Sequence, residues 1–299
     1  MKVAAIKKRK VTAEDDDPRP LKYRNLGGYN AFVVNSVTNY CFQSGQDLAF
    51  RYLIPKADLQ TAMLEHDYTK LPFAEYWVDK ANFVTTEDVI HIEQKTSAQH
   101  LSRKWFSERS WRVTASRFGD VLKATCRRNM HKLCQSMVAP QQLHCRSVVH
   151  GRRHEKAALQ SFVASTGKEV TSCGLFVSEV YPFLAASPDG LVGQSHTIEV
   201  KCPLRGYGKI ITASSSFPFL YLDKTDNKLR LKEDSKYYLQ VQGQLGVTGR
   251  EACYFVVYSS IDLFIDEIVF QPQYWSTSMV PRLQLFYEKH LRPFIAKRL

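Results

Sequence analysis

The chain has 299 residues and a mass of 34.4 kDa, with 44% hydrophobic and 23% charged residues, a composition that excludes collagen-like, coiled-coil and wholly disordered proteins. No apolar run reaches the roughly 18 residues of a membrane helix, and the N-terminus lacks the apolar stretch of a secretory signal. We therefore expect a protein that is not secreted and has no membrane partner. The 41 lysines and arginines outnumber the 29 acids, and this net charge of +12 favours a polyanionic partner such as nucleic acid.

The N-terminal part of the chain carries little pattern. Residues 1–20 are predicted to be a disordered charged tail, because they hold almost nothing apolar to bury. Its basic run from Lys7 to Lys10 is typical of a nuclear import signal, and seven cysteines without a CxxC motif favour a reducing compartment. We therefore expect an intracellular, nuclear protein. Residues 21–95 contain no motif and are assigned as an N-terminal extension of unknown role, ahead of a domain over 96–299.

Hydrophobic periodicity becomes clear after residue 96. It predicts helices over 115–123, 151–164, 236–247 and 279–295. Short runs of strand-forming residues bounded by turn residues predict strands at 175–178, 182–187, 197–200, 252–259 and 263–270. This order of helices and strands indicates an α/β fold, with a small mixed central sheet flanked by helices.

Positive charge is concentrated between residues 101 and 153. This stretch holds 12 lysines and arginines against only Glu108 and Asp120. Such a local excess is expected on a surface that contacts nucleic-acid phosphates. A solvated basic face explains the count equally well, so charge alone does not decide between the two interpretations.

Two carboxylates and a lysine are spaced so that they can converge. Pro188 and Gly190 form a predicted turn that presents Asp189 at the tip of a strand. Ten residues later, Glu199 and Lys201 share one face of a strand because side chains alternate along it. A hairpin between the two segments sets Glu199 beside Asp189. Paired carboxylate oxygens of this kind suit Mg²⁺ or Mn²⁺.

A third carboxylate comes from the helix predicted over 151–164. Glu155 lies on the same helix face as Ala158, Leu159 and Phe162. A glutamate on an apolar face needs a partner if it is buried, or else it reaches water from the edge of the face. A metal ion near Asp189 and Glu199 would supply the partner.

These motifs together resemble a known nuclease family. They are the Ser-Pro-Asp-Gly sequence at 187–190, Glu-Val-Lys at 199–201, Gly151 with Glu155, Tyr-x-x-Gln-x-Gln at 237–242, and Trp105 with Arg109 and 113–116. In this order and spacing they resemble the YqaJ-type viral recombinases and lambda exonuclease, within the PD-(D/E)XK nuclease superfamily. The likeness covers about residues 100–295. It implies a restriction-endonuclease-like core.

The resemblance implies a role for each matched residue. The Mg²⁺ or Mn²⁺ ion would be held by side chains or backbone of four residues: Asp189, Glu199, Val200 (through its carbonyl) and Glu155. Lys201 would orient or deprotonate the attacking water, supported by Gln240. Arg109, Ser116 and Ser187 would form a pocket for a terminal 5′-phosphate, where an arginine can bind two phosphate oxygens at once.

The implied activity is metal-dependent hydrolysis of double-stranded DNA, as a 5′-to-3′ exonuclease in recombination, replication or repair. Two alternatives stay open: a structure-directed endonuclease or nickase, and a DNA-binding recombination module with weak catalysis. The family also implies a homo-oligomer, since relatives form ring-shaped trimers, and a single-strand annealing protein as a partner.

Overall fold

The computed structural model describes residues 29–44, 73–138 and 146–298. The chain divides into two compact units, Met1–Lys70 and Leu71–Leu299. Helix α1 (Tyr29–Ser44) belongs to the first unit, and the other elements belong to the second. The predicted charged tail, including Lys7 to Lys10, lies outside the described residues. Within the described part of the chain, no helix combines the length and apolar character needed to cross a bilayer.

Helices make up most of the second unit. The first seven are α2 (Phe73–Asn82), α3 (Thr86–Lys95), α4 (Arg103–Ser110), α5 (Ala115–Leu122), α6 (Met130–Val138), α7 (Arg146–Thr166) and α8 (Lys236–Thr248). The C-terminal segment contains α9 (Pro272–Tyr274), α10 (Val280–Phe286) and α11 (Arg292–Ala296). These are joined without a break by two π-helical stretches, Trp275–Met279 and Tyr287–Leu291.

The strands form three small sheets. They are β1 (Val113–Thr114), β2 (Phe176–Val177), β3 (Leu184–Ala186), β4 (Gly190–Val192), β5 (His196–Lys201), β6 (Leu220–Leu222), β7 (Leu229–Leu231), β8 (Ala252–Tyr258) and β9 (Leu263–Val269). The largest sheet has the order β4-β5-β8-β9, with β5 and β8 parallel and the outer pairs antiparallel. A three-stranded sheet has the order β1-β3-β2, and β6 pairs with β7. The predicted α/β class with small mixed sheets is confirmed.

The four-stranded sheet is covered on both faces. On one face, Ile198 and Val200 of β5 pack in a cluster with Ala158 and Phe162 of α7. On the other face, residues of β8 pack against apolar side chains of α8, in a cluster that includes Phe255, Val257, Val241 and Leu245. Because β5 lies between the two helices, its charged residues are held within the core rather than on an open surface.

Helix α8 has defined ends and a close neighbour. The Ser235 side chain accepts a hydrogen bond from the Tyr238 N–H at the start of the helix. Gly249 ends it in the left-handed conformation, with φ +67°, which glycine adopts without steric cost. Within the helix, a Cβ on Gly243 would lie 2.2 Å from a ring carbon of Phe118 in α5. The absence of a side chain at Gly243 is what allows this close packing.

Several elements differ from the sequence-based prediction. Helix α7 begins before the predicted 151 and ends after 164, while the strand predicted over 175–178 is confined to Phe176–Val177. Strands β1, β4, β6 and β7 were not predicted, and each has only two or three residues. Helices α2 and α3 fall within the segment 21–95 that was given no role, and they lie in the second unit.

Candidate active site

The hairpin of β4 and β5 brings Asp189 and Glu199 together. Asp189 directly precedes β4, and Gly190 pairs with Ile198 across the hairpin. The Asp189 N–H donates to the Ile198 carbonyl at 3.1 Å. The Val200 N–H donates back to Asp189 Oδ2 at 2.7 Å. The two backbone contacts of Asp189 therefore lie on either side of Glu199.

Glu199 is a buried carboxylate, with 2% of its surface exposed. Its Oε1 accepts hydrogen bonds from Gln240 Nε2 at 2.6 Å and from Lys201 Nζ. Its Oε2 accepts from Gln244 Nε2 at 2.5 Å. A buried carboxylate needs hydrogen-bond donors in place of water, and here two neutral amides and one ammonium provide them.

Gln244, which is fully buried, was not predicted as a site residue. It lies one helical turn after Gln240 in α8, and the spacing of four residues, which places both side chains on one helix face, is the signal that could have found it. Gln242, the second glutamine of the sequence motif, points elsewhere. Its amide donates to the Val269 carbonyl at 2.9 Å and its Oε1 accepts from the Gln271 N–H at 2.9 Å, so Gln242 joins α8 to the end of β9.

Lys201 contacts Glu199, Gln240 and the face of an aromatic ring. Its Nζ donates to Glu199 and lies 3.4 Å from Gln240 Oε1, and 5.0 Å from the ring centroid of Tyr237. Burial lowers the pKa of Lys201, but the negative charges of Glu199 and Asp189 outweigh it and the pKa is raised. In the arrangement seen, Lys201 is therefore a charged ammonium that donates hydrogen bonds.

Glu155 of α7 and Asp189 have few partners. The Glu155 carboxylate makes no hydrogen bond or ion pair with a described residue, and neither does Oδ1 of Asp189. Burial and the charge of Glu199 raise the pKa of Glu155. Burial, Glu199 and Glu155 raise the pKa of Asp189 well above its ordinary value. Three carboxylates thus share one ammonium, and the cluster has an excess of negative charge.

The excess of negative charge raises the question of whether these residues could hold a metal ion. Within residues 29–44, 73–138 and 146–298, no three His, Cys, Asp or Glu side chains already stand as a ready metal-binding group. The donor chemistry nevertheless fits, because carboxylate and carbonyl oxygens are the ligands of Mg²⁺ and Mn²⁺. Mutual repulsion among the carboxylates, seen in the raised pKa values of Asp189 and Glu155, is what a divalent cation would relieve.

Trp105 links the three residues of the predicted phosphate pocket. Its indole N–H donates to Ser187 Oγ at 2.8 Å, and the Arg109 guanidinium carbon lies 4.0 Å from the centroid of its ring. Arg109 Nη2 in turn donates to Ser116 Oγ at 3.2 Å. Arg109 and Ser116 are therefore in direct contact, while Ser187 is joined to them through Trp105, just before the carboxylate of Asp189.

The surroundings of Arg109 suit an anion. The guanidinium pairs with no carboxylate of the described chain, and burial together with the charge of Arg117 lowers the pKa of Arg109 to about 10. Ser116 is exposed in the first turn of α5. Thr114, the N-cap residue of that helix, makes no side-chain capping bond, so the first N–H groups of α5 are not occupied by the cap. Free N–H groups at a helix start favour negative charge.

The basic segment 101–153 separates into buried and exposed residues. Arg112 is 1% exposed and is bound by Glu108 at 2.7 Å and by the Pro182 carbonyl at 2.9 Å, so it supports the fold and adds nothing to a binding surface. Arg127 and Arg128 are exposed and line an open cavity of about 300 Å³. Neither makes an ion pair with a described residue.

Comparison with known proteins places these residues within one recognised domain. Residues 104–251 match the model of the YqaJ-like viral recombinase domain. The chain is 26% identical over 200 residues to an uncharacterized protein of Acanthamoeba polyphaga mimivirus, covering 64% of this chain and 34% of the relative. The chain thus matches about a third of the length of that curated relative.

Two solved structures of an exonuclease are similar in fold to this chain. An alkaline exonuclease from Laribacter hongkongensis, LHK-Exo, is 28% identical with a TM-score of 0.52, and the match covers 66% of this chain and 96% of that one. The same enzyme in complex with dAMP is 29% identical, with the same TM-score of 0.52 and the same coverage of 66% and 96%. The likeness confirms the restriction-endonuclease-like core.

Proposed function

We propose that the protein is a metal-dependent exonuclease of double-stranded DNA that acts in recombination, replication or repair. The basis is the match of residues 104–251 to the model of the YqaJ-like viral recombinase domain. The observation that carries the proposal is the cluster of Asp189, Glu199 and Glu155 around Lys201. It lies beside an arginine pocket that no acid of the described chain neutralises.

The proposed cofactor is Mg²⁺ or Mn²⁺. The groups that would hold it are the carboxylates of Asp189, Glu199 and Glu155 and the backbone carbonyl of Val200. Such an ion, when bound, lowers the pKa of a water molecule and neutralises charge that develops on the phosphate. Gln240 and Gln244 hold the Glu199 side chain in one orientation through bonds of 2.6 Å and 2.5 Å, which prepares this ligand before the ion arrives.

Lys201 and the phosphate pocket have separate roles in the proposal. The Lys201 ammonium donates to the attacking water or to a non-bridging phosphate oxygen, in addition to its contacts with Glu199 and Gln240. Arg109 and Ser116 bind the terminal 5′-phosphate, and Ser187 extends this pocket toward Asp189 through Trp105. A strand held at its 5′ end is then cut near that end, which gives 5′-to-3′ digestion.

The proposal is tested on three DNA substrates in the presence of Mg²⁺: linear with 5′-phosphate, linear with 5′-hydroxyl, and circular. We expect loss of linear DNA and persistence of circles. Asp189→Asn and Glu199→Gln should each abolish cleavage while DNA binding persists. The matched control is Glu267→Gln, the same chemical change at a side chain 55% exposed on β9, which should leave cleavage unchanged.

The same experiment separates the alternatives. Nicked or cut circles would show an endonuclease, and a gel shift without cleavage of any substrate would show a DNA-binding module. Cleavage by Asp189→Asn at the wild-type rate would remove the proposed metal site.

Further partners are proposed from the sequence resemblance alone. They are copies of the same chain, assembled as a ring-shaped trimer, and a single-strand annealing protein. Nuclear import is proposed from the basic run Lys7 to Lys10 in the sequence. Light scattering of the purified protein tests the first of these.

A further inference from the structure

We propose that Gln99 is a positioning residue for Asp189, and that the segment 93–99, which precedes the family match, is part of the active-site machinery. This inference rests on the proposed function, in which Asp189 holds the metal ion. It extends the functional unit toward the N-terminus, beyond the residues 104–251 that match the family.

The contact that carries the inference is made by the Gln99 amide. Its Nε2 donates to the Pro188 carbonyl at 2.8 Å and to the Cys173 carbonyl at 3.1 Å. The Pro188 carbonyl belongs to the peptide bond that leads into Asp189, and it also accepts from Cys173 Sγ at 3.4 Å. The orientation of that peptide plane sets the direction in which the Asp189 side chain leaves the backbone.

Gln99 has an unfavourable backbone conformation where it makes this contact. Its φ is +44°, in the left-handed region that is sterically unfavourable for a residue with a Cβ. Two backbone bonds hold it there: the Gln99 N–H donates to the Thr96 carbonyl at 2.7 Å, and the Ser102 N–H donates to the Gln99 carbonyl at 2.8 Å. Strained residues of this kind persist where the surrounding structure fixes them, and they cluster at functional sites.

The residues just before Gln99 form hydrogen bonds to the same strip, 173–175, that Gln99 contacts. Thr96 is fully buried, and its Oγ1 accepts from the Leu175 N–H at 2.7 Å. Glu93 Oε1 accepts from the Gly174 N–H at 2.8 Å. A Cβ on Gly174 would lie 1.9 Å from the Glu93 carbonyl oxygen, so the two backbones are as close as they can be. The end of α3 is therefore bonded directly to the strip 173–175, next to the position of Gln99.

Three consecutive residues of the Ser-Pro-Asp sequence are thus held from three directions. Trp105 of α4 binds the Ser187 hydroxyl, Gln99 binds the Pro188 carbonyl, and the Val200 N–H of β5 binds the Asp189 carboxylate. The first and third contacts hold the side chains of Ser187 and Asp189, and the contact from Gln99 holds the backbone between them. Without Gln99 the Pro188 carbonyl keeps only the contact from Cys173 Sγ, and the peptide is otherwise held by the Asp189 N–H bond to the Ile198 carbonyl. Asp189 then loses part of its preset direction while the fold remains.

Two substitutions in the full-length chain test this role. Gln99→Glu keeps the shape but replaces the amide donor with a carboxylate that faces two carbonyl oxygens. Gln99→Gly removes the amide and also relieves the positive φ, so it protects against a simple loss of folding. Gln273→Glu, the same chemical change at an exposed position of α9, is the matched control. The readouts are Mn²⁺ affinity by calorimetry, Tm without metal, and the Mn²⁺ concentration that half-saturates cleavage of linear DNA.

We expect both Gln99 variants to bind Mn²⁺ about 10- to 100-fold more weakly, the range seen when outer partners of metal ligands are removed, and to need correspondingly more Mn²⁺ for cleavage. Gln99→Gly should keep a Tm near that of the wild type, and Gln273→Glu should change nothing. Wild-type Mn²⁺ affinity in Gln99→Gly would overturn the positioning role while leaving the proposed function intact. A wild-type protein that neither binds Mn²⁺ nor cleaves DNA would remove both.

Discussion

At the scale of single residues, the acidic cluster controls how the metal-free protein responds to pH. Burial, Glu199 and Glu155 raise the pKa of Asp189, so the folded protein binds that proton more tightly than the unfolded chain does. The folded state is then destabilised as pH rises from the ordinary Asp pKa through the raised one, and the full penalty applies above it.

Asp189→Asn should therefore raise the Tm of the metal-free protein at neutral pH. An amide keeps an oxygen that can accept from the Val200 N–H, but it carries no charge. The gain should shrink as pH falls into the range where Asp189 is protonated in both states. Thermal melts in EDTA between pH 4 and pH 8, recorded at intervals of about 1 pH unit, measure how this gain in Tm depends on pH. A Tm that falls at neutral pH would show that the carboxylate is stabilising rather than repelled.

The proposed role of Arg109 is to set the preference for the DNA end. Charged hydrogen bonds contribute about 1.5–3 kcal/mol each, or roughly tenfold to a hundredfold in rate if made in the transition state. Arg109→Ala should slow digestion of 5′-phosphorylated ends by that factor and narrow the difference from 5′-hydroxyl ends. Initial rates on both substrates measure it. Arg103→Ala, an exposed change in the same helix, should leave both rates unchanged.

If the wild type digests both kinds of end equally and Arg109→Ala changes neither rate, the pocket has no role in choosing the end. The 5′-to-3′ assignment would then be dropped, and metal-dependent hydrolysis alone would be kept.

The acidic residues of the site were easier to predict from the sequence than the residues that hold their side chains in place. Asp189 and Glu199 follow from a turn motif and a strand alternation, both local rules. Gln244 and Gln99 do not, because glutamine has no local signature, and their roles depend on contacts across 45 and 89 residues of chain. Lys201 was expected either to orient the water or to deprotonate it, and its surroundings in the metal-free fold keep it charged.

At the scale of elements, the packing of α8 against α5 depends on the lack of a side chain at Gly243. Gly243→Ala would place a Cβ 2.2 Å from the ring of Phe118, and overpacking of a core typically costs about 1–3 kcal/mol. We expect a loss of unfolding free energy in that range. Gly151→Ala in α7 is the matched control, since nothing lies within 4 Å of its Cβ position, and alanine in an open helix position gains about 0.5–1 kcal/mol.

Urea unfolding of both glycine variants measures the difference. Equal stability of Gly243→Ala and the wild type would mean that α5 and α8 can separate at no cost. The active site would then also be expected to tolerate movement of α8, which carries Gln240 and Gln244.

Elements with a sustained period were placed closely, and several of the shortest strands were missed. Helix α8 and strands β8 and β9 were placed within one or two residues, because each carries a sustained period. Strands β1 and β4 have two and three residues, too few for any alternation to show. The two π-helical stretches in 272–296 could not be predicted either, because a 3.6-residue period does not express them.

At the scale of the whole molecule, exposed basic residues should set how DNA binding depends on salt. If Arg127 and Arg128 face phosphates, the plot of log K against log[salt] has a slope that includes about −0.9 for each contact on duplex DNA. Replacing both by Ala should flatten the slope by up to roughly 1.8. Lys224→Ala with Lys228→Ala, two exposed lysines of the β6–β7 hairpin, is the control. An unchanged slope in the arginine variant would show that these arginines are only solvated surface.

The position of β5 between α7 and α8 affects how the protein should lose activity on heating. Asp189, Glu199 and Lys201 are carried by the β4–β5 hairpin, which packs on α7 through apolar side chains and is joined to α8 by the bonds of Gln240 and Gln244 to Glu199. Within the sheet β5 lies between β4 and β8, so local fraying, which in many proteins opens a segment before the molecule melts, should not reach β5. Backbone amides of β5 should exchange with solvent deuterium only through global opening. Inactivation by heat should follow the same curve as loss of the native fold.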